Sequence, residues 1–277
     1  MKIYAFADEA SPKVDEQISA MLRNHLDGLE IRNVDGESVS VISVAKAGEV
    51  AKKLSDHGLR VWSIGSPIGK IDIEKDDFEK HLDVLRHTLD VAEALGTTRI
   101  RMFSFYIPKD RKPEEFRSRV MDRLAKMVEI ASKGNFLLCH ENEKAIFGDV
   151  ASRCDDILRT VPGLKCVFDP ANFIQVGQDV PKAWKLLKDR VYYLHIKDAL
   201  ADGSVVPAGN GIGHVPEILR EYVSRGGESV TVEPHLTVFE GFASLERDKK
   251  TEIPAFSYPS SQAAFDAACT ALHAILP

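Results

Sequence analysis

Eight times along this chain, a short apolar run is followed by a longer stretch with apolar residues every three or four positions. The short runs are rich in β-branched and aromatic side chains and read as strands; the long stretches read as amphipathic helices. Strict alternation makes the strands parallel, because a helix is the usual crossover that returns the chain to the same end of a sheet. Eight such units in 277 residues close into a single α/β (β/α)8 TIM barrel rather than an open sheet. The strands are expected at Ile3–Ala7, Gly28–Arg32, Arg60–Ile64, Arg99–Phe103, Phe136–Glu141, Lys165–Asp169, Val191–Lys197 and Ser229–Glu233. The helices are expected at Val14–Asn24, Val44–His57, Asp77–Leu95, Pro113–Ser132, Val150–Arg159, Pro181–Leu187, Pro216–Arg225 and Ser261–Leu276. Gly58, Gly96, Gly134 and Gly226 stop four of these helices.

No linker divides the chain, so residues 1–277 read as one barrel domain, with an irregular segment at 236–260 before the last helix. A stretch of that length serves as a lid, an oligomer contact or a plain insertion. The net charge of -6 and the lack of any run of clustered Lys and Arg argue against a nucleic-acid partner. The four cysteines form no C-x-x-C pair, which argues against a structural zinc site and suits a reducing cytosol. The N-terminal MKIYAFADEA lacks the apolar core of an export signal, and no apolar run approaches the length of a membrane span. The expected setting is therefore cytoplasmic, with no membrane partner.

Barrel enzymes place their chemistry at the C-terminal ends of the strands. Here the last four strands read FLLCHENE, KCVFDPAN, VYYLHIKD and SVTVEPHL. They end at Glu141, at Asp169, at His195 with Lys197 and Asp198, and at Glu233 with His235. Taken singly, each has a plain explanation as a rim or loop residue. Strand alternation, however, lets Glu141, His195 and Glu233 all point into the barrel mouth. Carboxylates brought together there would be costly to bury, and a divalent cation removes that cost. Oxygen donors with one imidazole suit Mn2+, Mg2+, Co2+ or Zn2+, with Mn2+ the first expectation.

CHENE, FDPANF, YLHIKDA and TVEPHL, in this order and spacing, resemble the xylose isomerase-like TIM barrels, the sugar phosphate isomerases and epimerases. The resemblance runs from FADEAS near the N-terminus to the last helix. It implies a metal set of Glu141, Asp169, His195 and Glu233, with Glu141 and Glu233 as the acid/base pair. The related repair endonucleases need extra histidines, and this chain has Asn172 where they, and several epimerases, have His. That departure puts the substrate in question more than the reaction class.

The chemistry so implied is removal of an α-proton from a ketose or sugar phosphate, with a metal-stabilised enediolate and return of the proton. Return to the same carbon is epimerisation, and return to its neighbour is isomerisation. Loss of a β-hydroxyl would instead be an inosose-type dehydration, and a non-catalytic sugar-binding barrel is the remaining alternative. Arg101, Glu143, Asn172, Lys197 and His235 are expected to contact the carbohydrate, and Glu9 and Glu30 are weaker candidates for the pocket. PAGNGIGHVPE is a glycine-rich turn before a helix, which can cradle a phosphate or simply make a turn, and His214 within it reads as a cap. Trp62, Phe6 and Phe105 are candidates for an apolar wall, with core packing their commoner use. The expected assembly is a homodimer or homotetramer, as the superfamily resemblance implies.

Overall fold

The computed structural model describes residues 1–238 and 258–277. The eight barrel strands are β1 (Lys2–Ala5), β2 (Gly28–Ile31), β3 (Arg60–Gly65), β4 (Arg99–Met102), β5 (Leu137–Glu141), β6 (Lys165–Phe168), β7 (Val191–Ile196) and β8 (Ser229–Val232). All pair in parallel with their neighbours, and β8 closes on β1 from Lys2 opposite Ser229 to Ala5 opposite Val232. The helices are α1 (Val14–Arg23), α2 (Val44–Asp56), α3 (Phe78–Ala94), α4 (Arg117–Ser132), α5 (Ala151–Thr160), α6 (Pro170–Gln175), α7 (Val180–Leu187), α8 (Val215–Ser224) and α9 (Ser261–Ile275). The barrel expected from the alternation is the fold observed.

Three local departures have physical causes. The first strand stops at Ala5, and Ala7–Glu9 forms a 3-10 turn that brings Asp8 and Glu9 under the mouth. Pro113–Phe116 is a separate 3-10 turn ahead of α4, opened by the proline. The helix α6 directly after β6 was not expected from the sequence. Its signal is FDPAN: the Asp169 carboxylate accepts from the Asn172 amide at 2.9 Å as N-cap, and Pro170 takes the first helical position. Two short ribbons, Asn33–Val34 with Glu37–Ser38 and Asp198–Ala199 with Val205–Val206, decorate the loops after β2 and β7. The irregular segment expected at 236–260 falls mostly on residues 239–257, which lie outside the described residues.

Most of the apolar core lies between the barrel and its helices, with Leu82, Leu85, Val91, Val120, Leu124 and Met127 from α3 and α4 all buried. Inside the barrel the layers are mixed. Tyr4, Trp62, Tyr192 and Tyr193 pack at the N-terminal end, with Tyr4 and Trp62 stacked at 4.9 Å. Charged residues fill the C-terminal half, where Glu30, Arg101, Glu141, His195 and Glu233 are buried. A barrel interior holding that many ionic groups needs each of them matched, because an unpaired buried charge is prohibitive.

Candidate functional site

His195 is the hub of this ionic layer. Its Nδ1 lies 3.0 Å from Glu141 Oε1 and 3.4 Å from Glu233 Oε2. Its Nε2 lies 3.1 Å from Glu30 Oε2, and Glu30 also accepts from the Tyr193 hydroxyl at 2.9 Å. A carboxylate on the far ring nitrogen fixes both the tautomer and the ring direction, so Nδ1 is the nitrogen turned toward Glu141 and Glu233. Phe6 meets the imidazole edge-on at 5.3 Å and closes its apolar side.

Asp169 completes the set. It caps α6 through Oδ1, while the buried Oδ2 has no hydrogen-bond donor and faces the Lys197 ammonium at 2.9 Å. Asn142 holds the Asp169 peptide from both sides, accepting from its N–H and donating to its carbonyl at 2.9 Å each. One donor atom from each of Glu141, Asp169, His195 and Glu233 lies within 4.8 Å of the others. That spacing lets the four side chains converge on one cation. A buried carboxylate oxygen whose one partner is the Lys197 ammonium, two further carboxylates and an oriented imidazole nitrogen fit a divalent ion.

The flanking residues expected to contact a carbohydrate line one cleft, and several contact Glu141, Asp169 or Glu233 directly. Arg101 Nε lies 3.3 Å from Glu141 Oε2. Asn172 donates its side-chain amide to Glu141 Oε1 at 3.2 Å and to the Asn142 carbonyl at 2.9 Å. Lys197 Nζ bridges Asp169 and Glu233 at 2.9 Å each. Glu143 stands at the cleft wall, paired with Lys70 at 3.1 Å. His235 has a left-handed backbone and lies with Nδ1 2.9 Å from Glu9 Oε1. These five side chains share one cleft with Arg32, Phe103 and Glu233.

Two residues passed over in the sequence matter here. Arg32 binds Asp8 through Nε at 2.8 Å and Glu9 at 3.0 Å, and reaches Glu233 at 3.6 Å. It sits two positions after Glu30, on the same strand face, and that alternation was the signal. Glu9, Glu233 and His235 also have donors close together, but Arg32 already supplies their positive charge. Lys70, on the loop after β3, reaches the cleft only through the tertiary fold.

The charges tune one another. Burial opposes ionisation of Glu233, but Lys197, His235 and His195 overcome it and hold the carboxyl well below the usual range. Burial alone would discharge His195, yet Glu141 and Glu30 raise it well above an ordinary imidazole. Lys197 is likewise raised against burial by Asp169 and Glu233. For Asp169 burial prevails over the pull of Lys197, and its carboxyl is raised. A carboxyl that resists ionisation beside one held ionised is the pattern expected of a cluster short of positive charge.

The glycine-rich loop after β7 does not present its amides to a phosphate. The Asp198 carboxylate accepts from Gly209, Gly211 and Gly213 at 2.9, 3.0 and 2.9 Å, and a Cβ on Gly211 would stand 2.3 Å from Asp198 Oδ1. His214 precedes α8 with a left-handed backbone but makes no side-chain capping bond. Phe105 packs on Phe78 in the core, and Trp62 lies at the opposite end of the barrel.

The sequence model of the xylose isomerase-like TIM barrel family matches residues 22–235. No curated protein matches the sequence. Among solved structures, the probable 3-DHS dehydratase AsbF of Bacillus anthracis is 16% identical at a TM-score of 0.75, covering 99% of both chains. An L-ribulose 3-epimerase is 18% identical at 0.75, covering 100% of this chain and 94% of its own. The IOLI protein, solved with a zinc atom, is 14% identical at 0.75 over 100% of this chain and 98% of its own. At such identities the likeness is one of fold.

Proposed function

The chain belongs to the xylose isomerase-like TIM barrel family, and we propose that it is a divalent-metal-dependent isomerase or epimerase of a small ketose or sugar phosphate. The observation behind this reading is the meeting of Glu141, Asp169, His195 and Glu233, with the two glutamates both within 3.4 Å of His195 Nδ1. Those four residues would hold the ion, with Mn2+ the first choice and Mg2+, Co2+ or Zn2+ the others. When bound, such an ion polarises a substrate carbonyl and lowers the cost of removing the adjacent proton.

The protein's own groups do the rest. Glu233, held ionised by Lys197 and its neighbours, takes the α-proton, and Glu141 returns one from the other side. Arg101 and Asn172 hold Glu141 in position, and Lys197 and Arg32 hold Glu233. A base fixed by two partners loses little entropy on reaching the reactive geometry. His235 and Glu143 at the cleft wall meet the substrate hydroxyls. A small carbohydrate is the only partner this reading requires. The four buried free thiols suit a reducing, cytoplasmic setting.

One observation favours dehydration as the second reading. In that reaction the Lys197 ammonium, 2.9 Å from Glu233, would protonate the departing hydroxyl. The test is metal content of wild type and His195→Ala, paired with solvent-deuterium wash-in across ketoses and inososes. About one equivalent of metal, lost in the variant, with deuterium entering one substrate supports the proposal. Exchange accompanied by a new conjugated-ketone absorbance selects the dehydratase. Failure to bind added Mn2+ overturns both.

A further inference from the structure

The N-terminal mouth of the barrel, opposite the candidate metal centre, has the features of a second site. Arg99 opens β4, Lys165 opens β6 and Tyr192 is the second residue of β7, so strand order alone gathers them at this end. The Arg99 guanidinium lies 3.9 Å over the Trp62 ring, and its Nε donates to the Tyr192 hydroxyl at 3.0 Å. Stacking and one hydrogen bond thus fix the plane of the group while leaving its two terminal nitrogens without an acceptor among the described residues. Lys165 stands 5.9 Å over the Tyr192 ring and makes no ion pair among the described residues. Partly buried cations left unpaired in a chain of net charge -6 call for an anion.

Space is present as well. A cavity of about 390 Å³ runs from Trp62 and Arg99 past Tyr192 and Tyr222 to Arg225 and Ser229. That volume is in the range that admits a small metabolite. Among the cations lining it, Arg225 is paired with Asp189 and Lys188 with Glu221, which leaves Arg99 with charge to spare; Lys165, against the Tyr192 ring, adds positive potential from beside the cavity, and the exposed Glu228 lies at its Tyr222 end. A guanidinium that offers two parallel N–H donors matches an oxyanion edge.

We propose that this mouth binds a small ligand through a phosphoryl group, held by Arg99, with the ligand body against Tyr192 and Tyr222.

Tryptophan fluorescence reports on it directly, because the chain has two tryptophans and only Trp62 lines the cavity. In a Trp184→Phe variant kept in chelator, inorganic pyrophosphate at constant ionic strength is expected to give a saturable fluorescence change. Arg99→Gln added to that variant should weaken binding at least about tenfold, the loss of a charge-assisted bidentate contact. Lys165→Gln should weaken it by a smaller factor, and it stands as the second test if Arg99→Gln does not fold. Glu141→Gln should leave binding unchanged. A change no different from that caused by chloride, or equal affinity in the Arg99 and Lys165 variants, overturns the site. Tighter binding of malonate than of pyrophosphate overturns the phosphoryl assignment.

Discussion

Replacing Lys197 by methionine removes one buried cation from the candidate metal centre while keeping an unbranched side chain. Lys197 Nζ lies 2.9 Å from both Asp169 Oδ2 and Glu233 Oε2, and all three residues are buried. Around it, the carboxylates of Glu30, Glu141, Asp169 and Glu233 face Arg101, Lys197 and a protonated His195. Arg32, 3.6 Å from Glu233, is shared with Asp8 and Glu9, so the substitution leaves Asp169 and Glu233 without the cation they have in common. Removing one partner of a buried ion pair costs about 3–5 kcal/mol. Asp169 relieves part of this, because burial already raises its carboxyl and a proton can take the place of the ammonium. The expected loss is therefore about 3 kcal/mol, near the lower limit. At about 2–4 °C per kcal/mol for a chain of this size, the melting temperature in chelator should fall by roughly 6–12 °C. A divalent ion restores the missing charge, so saturating Mn2+ should raise the melting temperature of the variant more than that of wild type. Thermal melts of both proteins, in chelator and in Mn2+, measure this. Equal melting temperatures in chelator, or the same Mn2+ increment in both proteins, would refute the charge argument.

Glu30→Gln tests the orientation of His195. The amide leaves the imidazole without its charged partner at 3.1 Å, and Mn2+ affinity by calorimetry should fall about 10–100-fold with the fold retained. Asp198→Ala removes the acceptor of the Ala199, Gly209, Gly211 and Gly213 amides, so stability to urea should drop by about 3 kcal/mol or more, with faster exchange at those amides. His81 is lowered from 6.5 to about 4 by burial, and its Nε2 accepts from the Gly69 amide at 2.8 Å. It is neutral in the folded chain, so the unfolded chain binds the extra proton between those values and stability declines as pH falls from about 6.5 to 4. That share, of order 3 kcal/mol, levels off below the folded value, and a His81→Gln variant should show a correspondingly flatter pH dependence in denaturant titrations.

The eightfold alternation by itself determines the barrel. Parallel strands with helical crossovers have few closed arrangements, and the C-terminal ends of such strands are neighbours in every one of them. For that reason Glu141, Asp169, His195 and Glu233 could be grouped from their strand-end positions and a family resemblance. Pairwise contacts were beyond the sequence, since they depend on register and twist. Glu30 read as a pocket candidate, but only barrel closure sets it against His195 Nε2, 165 positions along the chain. Lys197 read as a substrate contact, and the structure inserts its ammonium between two carboxylates. The glycine loop read as either a phosphate cradle or a plain turn, because its amides look free in one dimension; folding returns them to Asp198. Trp62 went to the far end of the barrel because a strand's position along its own axis decides which mouth a residue faces, and hydrophobic pattern does not record it. Pattern thus determines which elements form, and side-chain partners are decided by three-dimensional closure, where charges distant in sequence must be matched inside one small volume of low dielectric.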